Sequence, residues 1–359
     1  CSLNKKNHVM NLVTNKERIF WIDYAKGIAI TLMIFGHIPI AEEVWNNYVY
    51  SFHMPVFFFL SGIFANNIKM NFREFILKNT YQLLIPYAIL YIITIPVGLF
   101  TISIHPELFG YPTLIDKLWK PLIGLLSGEY LNHTSISLFT NGALWFLIAL
   151  FWVRLFAYLM RKLKKWIQLL VSLCVSCLVV WVTRECFSVN LFWSIDSAFF
   201  ALPFYIVGNI FVNSVFWEKI SSWSTLTKLI ISFLLFFVLW YSSLYNGPIS
   251  VCGVKSGQCI ILAYMNGCCG SVALSLLCLG LPSKLNLANT GKMSMLILAF
   301  HGAILYLIRF VALKTIGVPL DDYNVWIAIL LSILVVCLLT PISLFIAKHF
   351  PILVGKAKK

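Results

Sequence analysis

Charged side chains are scarce in this chain. Only 11% of its 359 residues are charged, 13 of them acidic, against 60% hydrophobic residues and a mean hydropathy of +0.88. That excludes a soluble domain of ordinary composition and implies a polytopic membrane protein. No paired CxxC spacing suggests zinc, and no solenoid-type repeat is present. Most of the ten cysteines lie in apolar runs, so they do not form a disulfide framework; Cys252 and Cys259 share one short loop and can pair in an oxidising compartment. The first apolar run is followed by no small-residue cleavage site and is expected to be retained as a span. Although the net charge is +14, Lys and Arg fall in short clusters between apolar runs, not on one continuous face, which argues against a nucleic-acid partner.

What is present is a series of long apolar runs. Runs long enough to cross a bilayer, about 20 residues each, lie near 19–38, 49–66, 80–104, 142–160, 166–183, 191–215, 228–245, 257–281, 293–313 and 324–348. The expected fold is therefore all-α with about ten transmembrane helices. Charge gives the orientation. Of the 27 Lys and Arg, twenty fall in loops on the side of the N-terminus, six on the other side, and Lys26 lies within the first run. The positive-inside rule then puts both termini in the cytoplasm. The expected organisation is a cytoplasmic segment 1–18, one membrane domain 19–348 and a basic cytoplasmic tail 349–359. The longest outer loop, 105–141, holds Glu107, Asp116, Glu129 and His133, and its apolar piece Leu118 to Leu126 is too short to span, so it lies along the interface or dips back in.

The first run carries three ionisable groups where a lipid-facing helix carries none. Lys26 and His37 are eleven residues apart, which returns to nearly the same helix face roughly 16 Å along the axis. Asp23 precedes Lys26 by about one turn on that stripe. Such a stripe faces protein or water and marks a membrane site. His53 enters the second run at a depth similar to His37. Two histidines at one depth on adjacent helices can meet and do acid or base work, or else both are interface residues bonded to water and headgroups. Trp145, Asp196 and His301 join that level. Asp196 lines a cavity or pairs with Arg184 or Arg309, Trp145 lines the site or anchors the interface, and Asp23 and Lys26 act there or neutralise each other.

Read in order, these residues resemble the acyltransferase 3 family. The resemblance rests on Arg18, Asp23, Lys26-Gly27, Gly36-His37, Phe52-His53-Met54-Pro55, Phe58-Phe59-Leu60-Ser61-Gly62, Leu84-Ile85-Pro86-Tyr87, Leu144-Trp145-Phe146-Leu147 and Gly291-Lys292-Met293-Ser294 before His301. It covers nearly the whole chain and is strongest for the branch of fucose 4-O-acetylases and the acetylase of enterobacterial common antigen. Lys26 stands where much of the family has arginine, which substitutes a point charge for a bidentate fork. The resemblance implies transfer of an acyl group, usually acetyl from cytoplasmic acetyl-CoA, to a hydroxyl of a surface glycan or its lipid-linked sugar precursor in the bacterial inner membrane. His37 is then the general base, or alternatively a nucleophile carrying acetyl. Lys26, Asp23 and Arg18 position the donor, His53 orients His37 or the acceptor, and Trp145, Asp196 and His301 line the acceptor path. Besides membrane lipid no bound cofactor or metal is expected, and the oligomeric state is not legible. A polysaccharide or lipid exporter is the competing class, although no inverted repeat supports it. A non-catalytic assembly partner leaves the ionisable stripe unexplained.

Overall fold

The computed structural model describes residues 20–40, 42–65, 70–104, 114–128, 141–186, 191–282, 285–317 and 323–356. Among them, eight helices are long and apolar enough to cross a membrane, and they correspond to eight of the ten expected runs. The other two runs form shorter helices, α1 (Phe20–Gly36, 17 residues) and α3 (His53–Ile63, 11 residues), with the small helix α2 (Glu43–Tyr50) between them. At about 1.5 Å per residue the described residues of neither helix cover the roughly 30 Å apolar layer alone. Both are wrapped by other helices, and irregular backbone is tolerated at membrane depth when protein covers it.

The chain continues through α4 (Phe72–Asn79), which passes by a π-helical turn, Thr80–Leu84, into α5 (Ile85–Ile104). An Asn71 capping box starts α4: its side chain accepts from the Glu74 N–H at 2.8 Å, and Glu74 reaches back to the Asn71 N–H. Next come α6 (Leu114–Ser127), α7 (Trp145–Leu159), α8 (Lys165–Val180), α9 (Ile195–Val212), α10 (Val215–Ser222) and α11 (Thr225–Asn246). The expected interfacial piece Leu118 to Leu126 falls inside α6. A two-stranded hairpin, Ile249–Ser250 against Lys255–Ser256, leads to α12 (Ile260–Gly280), α13 (Leu287–Lys292), α14 (Ser294–Ile316) and α15 (Val325–His349). No disulfide joins Cys252 to Cys259.

Burial separates the inner helices from the outer ones. The apolar window of α9 is 78% buried, whereas that of α11 is 17% buried and that of α15 28%. The last two therefore turn most of their Leu, Ile and Phe side chains outward, as lipid-facing helices do. The centre is held by close backbone approach. A Cβ at Gly62 of α3 would run into the carbonyl of Tyr205 on α9, and one at Gly208 would run into the carbonyl of Phe59. Each glycine thus sits three residues after the residue whose carbonyl the other glycine meets, so the crossing is reciprocal. Asn209 adds a hydrogen bond to the Gly62 carbonyl at 3.2 Å. Gly291 of α13 meets the Asp23 carbonyl in the same way, and Tyr24 donates to the Pro282 carbonyl at 3.0 Å while accepting from the Leu285 N–H at 2.9 Å. Small residues that admit a neighbouring backbone are how helices associate where lipid supplies no hydrophobic drive.

Candidate active site

Four interruptions of helical backbone meet at one end of the bundle: the end of α1 at Gly36, the Ser51–Phe52 turn, the short 3₁₀ turn Gly142–Leu144 and the segment before α9. In the last of these, Trp193 (φ 57°) and Ser194 (φ 51°) both adopt the left-handed region without being glycine. Strain of this kind, costing roughly 1–3 kcal/mol per residue, is typical of functional sites. Together these breaks surround a cavity of about 780 Å³.

His37, His53, Trp145 and His301 all line that cavity. His37 follows the last turn of α1, where Tyr50 donates to the Gly36 carbonyl at 3.0 Å and fixes the backbone beside it. The His37 ring is exposed into the cavity, while His53 and His301 are buried in the wall. The His37 and His301 rings lie 5.1 Å apart, centroid to centroid. The two wall histidines have fixed tautomers: Nδ1 of His53 is 2.8 Å from the Val49 carbonyl, and Nδ1 of His301 is 2.8 Å from that of Leu298. A carbonyl only accepts, so each Nδ1 carries a proton and each neutral ring keeps its acceptor lone pair on Nε2. Asn141 holds the α7 approach over this region by donating to the Ala299 carbonyl at 2.7 Å.

Asp196 is not part of the lining. It is fully buried behind the wall, where it accepts from the Leu191 N–H at 3.2 Å and the Ser197 N–H at 2.8 Å. Its ion-pair partner is Arg184, 3.8 Å away, and Arg184 itself reaches the cavity. Arg309 instead lies 6.0 Å from the Tyr323 ring centroid.

A smaller apolar cavity of about 170 Å³ shares Met54 and Leu298 with the first, and Lys26 lines it together with Phe57, Phe64 and Phe146. Lys26 Nζ stands 5.9 Å from the Phe64 ring centroid. Asp23 is not among the lining residues, and Arg18 lies outside the described residues. A third cavity, about 320 Å³, shares Ser61, Phe64 and Arg154 with the second. Among the described residues it carries four cations, Lys78, Arg154, Arg161 and Lys165, and no acidic lining residue. Arg154 donates to Ser61 at 3.2 Å, and through Nη1 to Asn79 and Gln82 at 3.2 Å each. Asn79 and Gln82 flank the start of the π turn, a feature frequent at functional sites.

The sequence reading missed this inner cavity because Arg154 was counted only as one more inward-facing charge. The available signal was an arginine five residues before the end of an otherwise apolar helix, with Tyr158 one turn later and Arg161 just beyond the helix end. Among the described residues no group of His, Cys, Asp and Glu is placed to hold a metal ion.

Three cavities thus follow one another through shared walls, cationic at one end and histidine-lined at the other. The family model for the acyltransferase 3 domain, described as an acyltransferase domain, matches residues 19–348. The chain belongs to that family and is an integral membrane acyltransferase. No curated protein and no solved structure matches it.

Proposed function

We propose that the protein moves an acetyl group from cytoplasmic acetyl-CoA to a hydroxyl of a surface glycan or its lipid-linked precursor, in the manner of the fucose 4-O-acetylase and enterobacterial common antigen acetylase branch. The observation that carries this reading is the sharing of walls: Ser61, Phe64 and Arg154 join the inner and middle cavities, and Met54 and Leu298 join the middle and outer ones. Ten membrane helices with both termini in the cytoplasm of a bacterial inner membrane would place the four cations on the donor side. There Arg154, Lys78, Arg161 and Lys165 hold the phosphates of the nucleotide. The pantetheine arm threads the middle cavity past Lys26, and the thioester arrives beside His37.

The acceptor hydroxyl enters the outer cavity. His37 removes its proton as the oxygen attacks the acetyl carbonyl; the C–O bond forms, the C–S bond breaks, and the CoA thiolate takes up a proton as it leaves. The fixed Nε2 acceptors of His53 and His301 orient hydroxyls around that point. The narrow, phenylalanine-lined middle cavity suits one extended arm better than a hydrated glycan, which favours transfer over export. Purified protein in nanodiscs, supplied with acetyl-labelled CoA and glycan, tests the reading: labelled ester must appear. Passage of unmodified glycan with no label transferred would favour the exporter.

A further inference from the structure

The described lining of the outer cavity has formal charge of one sign. Among the described residues its lining includes two cations, Arg184 and Lys255, three histidines and no acidic residue. The nearby carboxylate, Asp196, is fully buried behind Arg184 and shares its charge with two backbone N–H groups, so it orients the guanidinium without entering the cavity. Lys255 comes from a different element, the hairpin that closes the cavity between α11 and α12, and is exposed there. Asn46, on α2, presents a buried side-chain oxygen with no protein hydrogen-bond partner to this same lining. A buried acceptor of that kind is costly unless a ligand supplies an O–H or N–H.

We infer that the acceptor is recognised through an oxyanion, a sugar carboxylate or a sugar phosphate, with Arg184 and Lys255 supplying the charge and Asn46 accepting from an acceptor hydroxyl. This rests on the acyltransferase reading for what the cavity is used for, but not for which sugars it prefers. Arginine suits planar or tetrahedral oxyanions, and lysine adds a mobile point charge at the rim. Discrimination against neutral sugars then follows from the Arg184 and Lys255 charges, which an anion answers from inside the cavity and a neutral sugar does not. Tyr50 and Trp145 in the same wall offer faces for the sugar ring.

The test uses the full chain in nanodiscs and three probes: methyl β-D-glucuronide, glucose 1-phosphate and the neutral methyl β-D-glucopyranoside, with affinities read by saturation-transfer NMR. At least one anionic probe binds about tenfold or more tighter than the neutral one, and whichever does so separates carboxylate from phosphate recognition. Lys255→Gln lowers the anionic-to-neutral ratio by about threefold and Lys255→Arg restores it. Because Lys255 is exposed on a hairpin, folding is not at stake. Arg184→Gln lowers the ratio further, with thermal unfolding recorded because it also breaks the pair to Asp196. Equal binding of all three probes, or an equal loss for charged and neutral probes in Lys255→Gln, overturns the inference. Acetyl-CoA binding is measured on the same samples. Its absence from the wild type would overturn the donor reading alone, since the sugar preference is read without any transfer.

Discussion

Replacing His37 by alanine is the sharpest perturbation of the proposed chemistry, because the structure separates its catalytic cost from its stability cost. The ring is exposed into the cavity, so its removal deletes no packed core, and the expected change in stability is within about 0.5 kcal/mol. A positioned general base contributes about 10²–10⁴-fold to rate, which corresponds to roughly 3–5 kcal/mol on the barrier. The donor cations lie in a different cavity, so acetyl-CoA affinity should hold while kcat falls. Initial rates of labelled acetyl transfer by purified protein, thermal unfolding and acetyl-CoA binding should be measured together on both proteins. His301, 5.1 Å away with its acceptor lone pair on Nε2, is the group best placed to supply residual activity. The double variant His37→Ala/His301→Ala should therefore lose more than His37→Ala, with effects that do not simply add. A single variant that keeps its fold and retains a rate within about tenfold of the wild type would refute His37 as the base.

The donor side gives two further expectations. Arg154→Gln should raise the KM for acetyl-CoA by about 10- to 100-fold, the worth of one hydrogen-bonded charge of about 1.5–3 kcal/mol, with kcat nearly unchanged; an unchanged KM would remove Arg154 from donor binding. Lys26→Ala should also raise the acetyl-CoA requirement, and unaltered donor dependence would make the lysine structural. At the central crossing, Gly62→Ala drives a methyl group into the Tyr205 carbonyl. Overpacking there should cost about 1–3 kcal/mol or more, seen as a lower unfolding temperature in detergent; an unchanged temperature would mean that the two helices part without penalty. Asp196→Asn should weaken the hold on Arg184 and lower thermal stability, while acetyl-CoA binding in the separate inner cavity stays at the wild-type level.

Much of this protein is local in origin and was legible without coordinates. Apolar run length is a property of adjacent residues, so the all-α membrane class and the positions of the eight long helices could be read directly. Helical periodicity also singled out Lys26 and His37, but the helix stops at Gly36 and the two side chains line different cavities. Periodicity did not reveal that the second run breaks at Ser51 and Phe52, or that α3 has only 11 residues. That break is tolerated because neighbouring helices cover it, and no local pattern records what covers a segment.

The site itself was decided by tertiary structure. His301 meets His37 from a helix more than two hundred residues later, and Arg154 gathers Ser61, Asn79 and Gln82 from two other helical segments. Both arrangements depend on how closely helix backbones approach, as at the Gly62 and Gly208 crossing, where the absence of two side chains sets the distance. By itself the sequence determined which segments enter the membrane and which ionisable groups go with them, since transfer into lipid depends on each segment's own composition. Which of those groups face one another was settled only by packing, because side chains distant in sequence share a cavity only once the helices that carry them have docked.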